Sequence, residues 1–415
     1  MATELDDSFS LGQPQFGPTK NDLIFTAYAD QPDGKRLGII FCQNRLSSIY
    51  HLNVTSNTLK QLNDKNSELA VRSPRFFKTK DDKNIIVYLI SNDLRAHASS
   101  CIVKVINLDY ELKGINKDSQ ISYKHLQDSN NRYLNIFIDQ LPYEPFYTEN
   151  DKNGHTWVFA TIIQDNVKNI AAFNISVVEQ WNISKYLKVD EKVTNSEPWH
   201  CSWDYLGIND RHIVLSKSNF NEPSNLKIYS IDDLIANYES HAPVMNLKYT
   251  YSCNQIVNLL RDKTKVWFDQ ETKSWIFRPN HDKPTKGIIL PHGGPHAAMT
   301  PTFSPALVTL VLSGDYTIIM PNYRGSLGYD DKYVESLLGK IGEYDVEDCL
   351  NAIIKAENDQ LVRRDQWCAY GGSHGGYLAA WLTSIYSHKF KTAIIRNPVI
   401  NLASNATQSD IPDCE

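Results

Sequence analysis

Apolar residues follow two different rhythms along the chain, and the rhythm changes near residue 255. Upstream, short strand-like runs recur without any long helical period: Leu23–Tyr28, Leu37–Cys42, Ser48–Leu52, Ile85–Ile90, Ile102–Ile106, Thr156–Ile163 and Ile213–Ser216. Polar turn sequences such as Asp81-Asp82-Lys83-Asn84 and Asn209-Asp210 separate them, as between successive β-strands. The clearest unit is Ser73-Pro74-Arg75-Phe76-Phe77, a turn, and then Ile85-Ile86-Val87-Tyr88. Units start near Gln13, Arg72, Glu144 and His200. Their spacing of roughly 60 residues exceeds the 40–50 of a propeller blade, so the loops must be long. The pattern predicts a partial β-propeller over residues 1–255 with about four blades, against the usual four to eight. A β-sandwich with long loops is the competing reading.

Downstream, over 256–415, apolar strands alternate with amphipathic helix. Gly287–Leu290, Asp315–Met320, Trp367–Tyr370 and Thr392–Ile395 read as buried strands. Val346, Cys349, Leu350, Ile353 and Ile354 fall at i, i+3, i+4, i+7 and i+8, one stripe of a helix. This alternation predicts a doubly wound, mostly parallel α/β sheet, with these strands as its third to sixth.

Candidate chemistry sits at two of the strand ends. Gly371-Gly372-Ser373-His374-Gly375 follows the strand at 367–370 and opens the helical run Gly376–Leu382. It matches the G-x-S-x-G turn that exposes a nucleophilic serine between strand and helix, with glycines leaving room for the cramped backbone. The bland alternative is an ordinary serine in a tight turn. The strand at 287–290 runs into Pro291-His292-Gly293-Gly294-Pro295. An HGG-type loop there donates one backbone N–H of an oxyanion hole, and the residue after the serine donates the other. The expected donors are Gly294 and His374. The side chain of His292 is expected to hold the loop, and that of His374 to be incidental.

HGGPH at 292–296, NYRGS at 322–326, GGSHGG at 371–376 and RNPVIN at 396–401 occur in the order and spacing of acylaminoacyl-peptidases, members of the prolyl oligopeptidase family of serine peptidases. The stretch Arg36–Cys42 with Asn44-Arg45, and the tail Ser409–Asp413, resemble that family too. The resemblance extends along nearly the whole chain and is weak over roughly 100–260. It implies a seven-bladed propeller followed by an α/β-hydrolase domain. It also implies an exopeptidase that removes an N-acylated amino acid from a short blocked peptide, with Ser373 as nucleophile and the His374 and Gly294 amides as the oxyanion hole. Against this family the chain looks truncated at both ends. In this fold the acid and then the histidine follow the serine. Asp410 and Asp413 read as capping or loop residues, and His388, at ~1.5 Å per helical residue, lies about 20 Å from Ser373. No histidine here can serve as the triad base, and losing a triad member costs orders of magnitude in rate. The chain as given is therefore expected to be inactive, and a full-length parent to be a homo-oligomer.

Composition narrows the field a little further. A net charge of −6 and a pI near 6.1 give no footprint for nucleic acid. No apolar run reaches membrane-span length, and the acidic N-terminus lacks a signal-peptide core, so a cytoplasmic protein is expected. The seven cysteines are scattered without C-x-x-C and read as thiols of a reducing compartment. His292 and His296 sit four apart around a proline, not on a helix, so neither metal nor other cofactor is expected. Two alternatives stay open: a non-catalytic scaffold built from the same domains, and another peptidase of the family. A dipeptidyl peptidase would hold the free amine with paired glutamates, and no Glu-Glu occurs in the chain; a prolyl oligopeptidase fits the segments GGSHGG and RNPVIN less well.

Overall fold

Strand runs in the N-terminal part pair with their immediate successors. In the computed structural model, which describes residues 9–30, 37–39, 42–63, 69–80, 82–91, 94–113, 121–123, 125–127, 133–148, 154–176, 179–182, 201–209, 211–239, 247–251, 254–409 and 411, four antiparallel sheets of four consecutive strands result. The first comprises Phe9–Phe16, Asp22–Ala29, Ser47–Asn53 and Thr58–Gln61, and the second Val71–Lys78, Asn84–Ser91, Cys101–Asn107 and Ile121–Tyr123. The third comprises Phe146–Thr148, Thr156–Gln164, Val167–Asn174 and Glu179–Asn182, and the fourth Ser202–Ile208, His212–Asn219, Glu222–Ser230 and Leu247–Tyr251. In the third sheet Gln164 pairs with Val167 across Asp165 (φ 50°) and Asn166 (φ 69°). Both turn residues are left-handed, the two-residue hairpin that matches strand twist.

The sheets stack face on face. Alternate residues of the second sheet divide between its neighbours: Ile86, Tyr88 and Ile90 pack with Ile24 and Ile49 of the first, while Ile85, Val87 and Leu89 pack with Val158, Ala160 and Ile162 of the third. On the far side of the third sheet, Trp157 and Phe159 meet Trp203, Ile213 and Leu215 of the fourth. A strand covered on both faces has no polar side, which is why Asn84–Ser91 reads as an unbroken apolar run rather than an alternation. A two-sheet sandwich does not describe this packing. The strand expected over Leu37–Cys42 is not found: Leu37–Ile39 and Cys42 are irregular, and Arg36, Ile40 and Phe41 lie outside the described residues. The Gly38 carbonyl accepts from Arg45 Nε at 2.8 Å instead of joining a ladder.

The C-terminal part is one mixed sheet. Its strands are β1 (Thr264–Asp269), β2 (Ser274–Pro279), β3 (Thr285–Ile289), β4 (Tyr316–Pro321), β5 (Val362–Gly372) and β6 (Phe390–Arg396), in the order β1-β2-β4-β3-β5-β6. β4, β3, β5 and β6 are mutually parallel, while β1–β2 and β2–β4 pair antiparallel. The parallel strands are those the sequence predicts; the antiparallel pair at one edge is an addition to them. The helices are α1 (Pro305–Gly314), α2 (Asp331–Glu335), α3 (Tyr344–Asn358), α4 (His374–Ile385) and α5 (Leu402–Gln408). α3 buries Val346, Cys349 and Ile353 but leaves Ile354 39% exposed, so its apolar stripe is narrower than the spacing suggests. Beyond Phe390 every residue of β6 is exposed. Among the described residues no helix is long and apolar enough to cross a membrane. Cys42, Cys101, Cys201, Cys349 and Cys368 are buried thiols; Cys253 and Cys414 lie outside the described residues.

The third-sheet hairpin plugs into the mixed sheet. Asn166 Oδ1 accepts from Asn322 Nδ2 at 3.2 Å and from the Tyr329 hydroxyl, its carbonyl accepts from Trp275 Nε1 at 3.2 Å, and the Asp165 amide donates to the Gly328 carbonyl at 2.9 Å. Beside it, Ser100 Oγ donates to Asp331 at 2.8 Å and Arg95 pairs with Glu335 at 3.2 Å.

Candidate active site

Ser373 stands between the last residue of β5 and the first of α4, with φ 56° and ψ −126°. Serine rarely adopts that backbone, and such conformations persist only where the surroundings impose them. Here the imposing groups are visible. The Ser373 amide donates to the Arg396 carbonyl at the end of β6 at 3.1 Å, and its carbonyl accepts from Gly376 and Tyr377 of α4 at 2.9 and 3.1 Å. A Cβ on Gly371 would strike the Gly375 carbonyl, and one on Gly375 would strike the Pro291 carbonyl and lie 2.9 Å from that of His292. The two glycines thus let strand, helix and neighbouring loop close on one another around the serine, which remains half-buried.

That neighbouring loop follows β3. A Cβ built on Gly293 would lie 3.4 Å from Ser373 Cβ, so Gly293 is the residue of the loop that faces the serine. Gly294 follows with φ 133°, a region closed to side chains, and a Cβ there would press on the His296 amide at 2.7 Å. The His374 amide is the first of α4 and has no acceptor within the helix. The elbow and the HGGP loop are therefore in contact, through Gly293 with Ser373 and through Gly375 with Pro291 and His292.

Imidazoles hold this arrangement from behind. His292 stacks on Tyr323 at 4.4 Å, and Tyr323 Oη donates to the His292 carbonyl at 2.8 Å. His292 Nδ1 lies 2.7 Å from the Gly293 carbonyl and Nε2 2.9 Å from Ser326 Oγ. A carbonyl can only accept, which assigns the proton of the neutral ring to Nδ1; the single proton of the Ser326 hydroxyl is shared between Nε2 and the Tyr323 carbonyl, 2.7 Å away. Burial pushes the His292 pKa down to about 4, and the same cause takes His296, whose Nδ1 donates to the Gly325 carbonyl at 2.8 Å, to about 4. The loop role expected of His292 is the one its contacts describe. His374 is different from its expectation. Its ring is fully buried, with Nε2 2.8 Å from Asp345 Oδ2, and Asp345 Oδ1 caps the amides of Gly342 and Val346 at 2.8 and 2.9 Å. The imidazole so joins the start of α4 to the start of α3. Arg324 does similar work for the loop after β4: Nε and Nη2 fork onto Asp348 of α3 at 2.8–3.1 Å.

Among the described residues no imidazole hydrogen-bonds the Ser373 hydroxyl. His388 lies beyond the C-terminal end of α4, in the short turn Ser387–Lys389, and Asp410 and Asp413 fall outside the described residues.

Residues 301–414 match the prolyl oligopeptidase family. The acylamino-acid-releasing enzyme of Mus musculus is 25% identical over 419 residues, covering 98% of this chain and 53% of that protein. Along nearly its whole length the chain is similar to acylamino-acid-releasing enzymes. It spans about half the length of the curated relatives it matches along its length. Acylamino-acid-releasing enzyme of Arabidopsis thaliana shares 42% identity over 126 residues, 30% of this chain and 16% of its own length. Among solved structures, a Mycobacterium tuberculosis puromycin-hydrolyzing peptidase superposes with a TM-score of 0.61 at 12% identity, over 98% of this chain and 65% of its own. Oligopeptidase B from Trypanosoma brucei, with covalently bound antipain, gives 0.60 at 12% identity, over 98% and 52%. At such identity these two likenesses speak for the fold alone.

Proposed function

We propose that this chain carries the nucleophile and oxyanion site of a serine exopeptidase that releases N-acylated amino acids from short blocked peptides. The carrying observation is Ser373, held at φ 56° between β5 and α4 with Gly293 against it. In this reading Ser373 Oγ attacks the scissile carbonyl, and the acyl-enzyme forms as the amine leaves. The negative charge that develops on the carbonyl oxygen meets the His374 amide at the positive end of α4 and a second amide from Gly294. The stacked four-stranded sheets of residues 1–255 are part of a β-propeller that sits over the hydrolase domain, residues 256–415, and excludes folded proteins by size. Stacked meanders with both faces buried, and relatives of the prolyl oligopeptidase family, support that reading.

Serine is a weak nucleophile until a base takes its proton. With no imidazole bonded to Ser373 among the described residues, residues 1–415 alone are expected to turn over acetyl-alanyl p-nitroanilide no faster than Ser373→Ala. The same observation favours the second reading, a non-catalytic scaffold of the same fold. Co-expression separates the two. Residues 1–415 are combined with the part of the mouse enzyme that lies C-terminal to its matched region. Ser373-dependent release of acetyl-alanine supports the peptidase. Stable assembly without Ser373-dependent turnover moves the assignment to the scaffold, and faster cleavage of free-amine dipeptides moves it to dipeptidyl peptidases.

A further inference from the structure

Behind Ser373 lies a buried acid that the proposed chemistry does not use. Asp345, in the first turn of α3, and His374, the first residue of α4, are each 0% exposed. Asp345 Oδ2 accepts from His374 Nε2 at 2.8 Å, and Oδ1 accepts from the amides of Gly342 and Val346 at 2.8 and 2.9 Å. A carboxylate can only accept, so Nε2 carries a proton. Burying a carboxylate is costly unless it is hydrogen-bonded and paired. Capping α3 alone would be met at lower cost by an acid at the surface.

The pair acts on one peptide plane. The Ser373 carbonyl and the His374 amide belong to the same planar, trans unit, so they point in opposite directions. The carbonyl is held by the Gly376 and Tyr377 amides at 2.9 and 3.1 Å. The far end of the plane is the His374 Cα, and its side chain is held by Asp345. With both ends held, the N–H is directed away from α4 and resists rotation. Ser373 needs such a clamp, because φ 56° with ψ −126° persists only where the surroundings impose it. The His374 ring also reaches the other half of the site. It lies 5.9 Å from the Tyr323 ring, which stacks at 4.4 Å on His292, in the loop that carries Gly293 and Gly294. We infer that Asp345 is a positioning residue for the oxyanion site: through the His374 imidazole it fixes the His374 amide in the direction that receives the negative charge. This rests on the peptidase reading for the identity of that charge.

Binding, not turnover, is the test. The full chain is titrated calorimetrically with acetyl-alanine, whose carboxylate puts an anionic oxygen where the oxyanion would form, and with acetyl-alaninamide. The acid is expected to bind about ten-fold more tightly, as hydrogen bonds to a charged group allow. Asp345→Asn is expected to reduce that preference to about two-fold or less, with the affinity for the amide unchanged. The sign is diagnostic, since removing a buried negative charge would by Coulomb attraction alone strengthen the binding of an anion. His374→Ala, which keeps the main-chain N–H, is expected to lose the preference too. His374→Gln, whose side-chain amide can still donate to Asp345, is expected to keep it. Asp345→Asn added to His374→Ala is expected to change nothing further. Melting temperatures establish folding; should Asp345→Asn not fold, His374→Ala against His374→Gln decides alone. A preference unchanged or raised in Asp345→Asn, equal weakening of acid and amide, a preference kept in His374→Ala, or no preference in the unsubstituted chain overturns the positioning role. None of these results depends on turnover, so the peptidase reading is judged separately, by the co-expression experiment.

Discussion

Gly371 and Gly375 are two positions where a single methyl group decides whether the elbow exists. The atoms a Cβ at Gly375 would strike are main-chain carbonyls of Pro291 and His292, which cannot swing aside as a side chain can. Gly375→Ala is therefore expected to cost about 3 kcal/mol or more, the upper range for overpacking, read from urea unfolding; a change below about 0.5 kcal/mol would mean the elbow is looser than described. His292 and His296 set a pH limit. Burial holds both near pKa 4, below the ordinary 6.5. The folded state thus binds fewer protons than the unfolded one between those values. The stability these rings contribute is complete above about pH 6.5 and is lost as pH falls toward 4. Urea midpoints at pH 7, 5.5 and 4.5 should fall steeply, and less steeply in His292→Asn. The glycine spacing that frames Ser373 was legible in five consecutive residues. The Asp345 partner of His374 was not, because nothing local to His374 marks a carboxylate 29 positions upstream.

At the scale of elements, strands advertise themselves when their burial is lopsided or complete. The sheets begin at Phe9, Val71, Phe146 and Ser202, close to the starts near Gln13, Arg72, Glu144 and His200, the last of which lies outside the described residues. The β1–β2 hairpin escaped notice. Its Lys273 takes φ 48° in a turn without glycine or proline, so the break between Asp269 and Ser274 carries no strong punctuation. β6 has the opposite problem, being obvious in sequence and unprotected in structure. Ile394 is 53% and Ile395 40% exposed at a sheet edge, with Ile400 57% exposed nearby. Such an edge templates pairing with other chains. Residues 1–415 are expected to self-associate, and Ile394→Lys with Ile400→Lys to shift the light-scattering mass toward monomer. An unchanged mass distribution would place the sticky surface elsewhere.

Across the whole molecule, the stack of small sheets and the mixed sheet meet through the Asp165-Asn166 turn. Asn166→Gly separates the two jobs of that residue, since glycine accepts φ 69° but offers nothing to Asn322 or Tyr329. Losing those bonds is expected to cost about 1–3 kcal/mol. It should also make Trp275 fluorescence report an earlier unfolding transition than circular dichroism does. Coincident transitions at the wild-type midpoint would show that the turn is not what joins the parts.

The same turn has a history during synthesis. Asn166 waits for Asn322, 156 residues later in the chain, and Ser100 waits for Asp331, 231 residues later. At roughly 5–20 residues per second on the ribosome, the Asn166 side chain stands without Asn322 for on the order of 8–30 s. The small sheets can form from neighbouring strands in that interval, whereas the join to the mixed sheet, which Trp275 can begin, is not complete until Asn322 and Tyr329 have emerged. A ribosome pausing within α1 would hold the chain in a state where the stack is folded and its docking face is open.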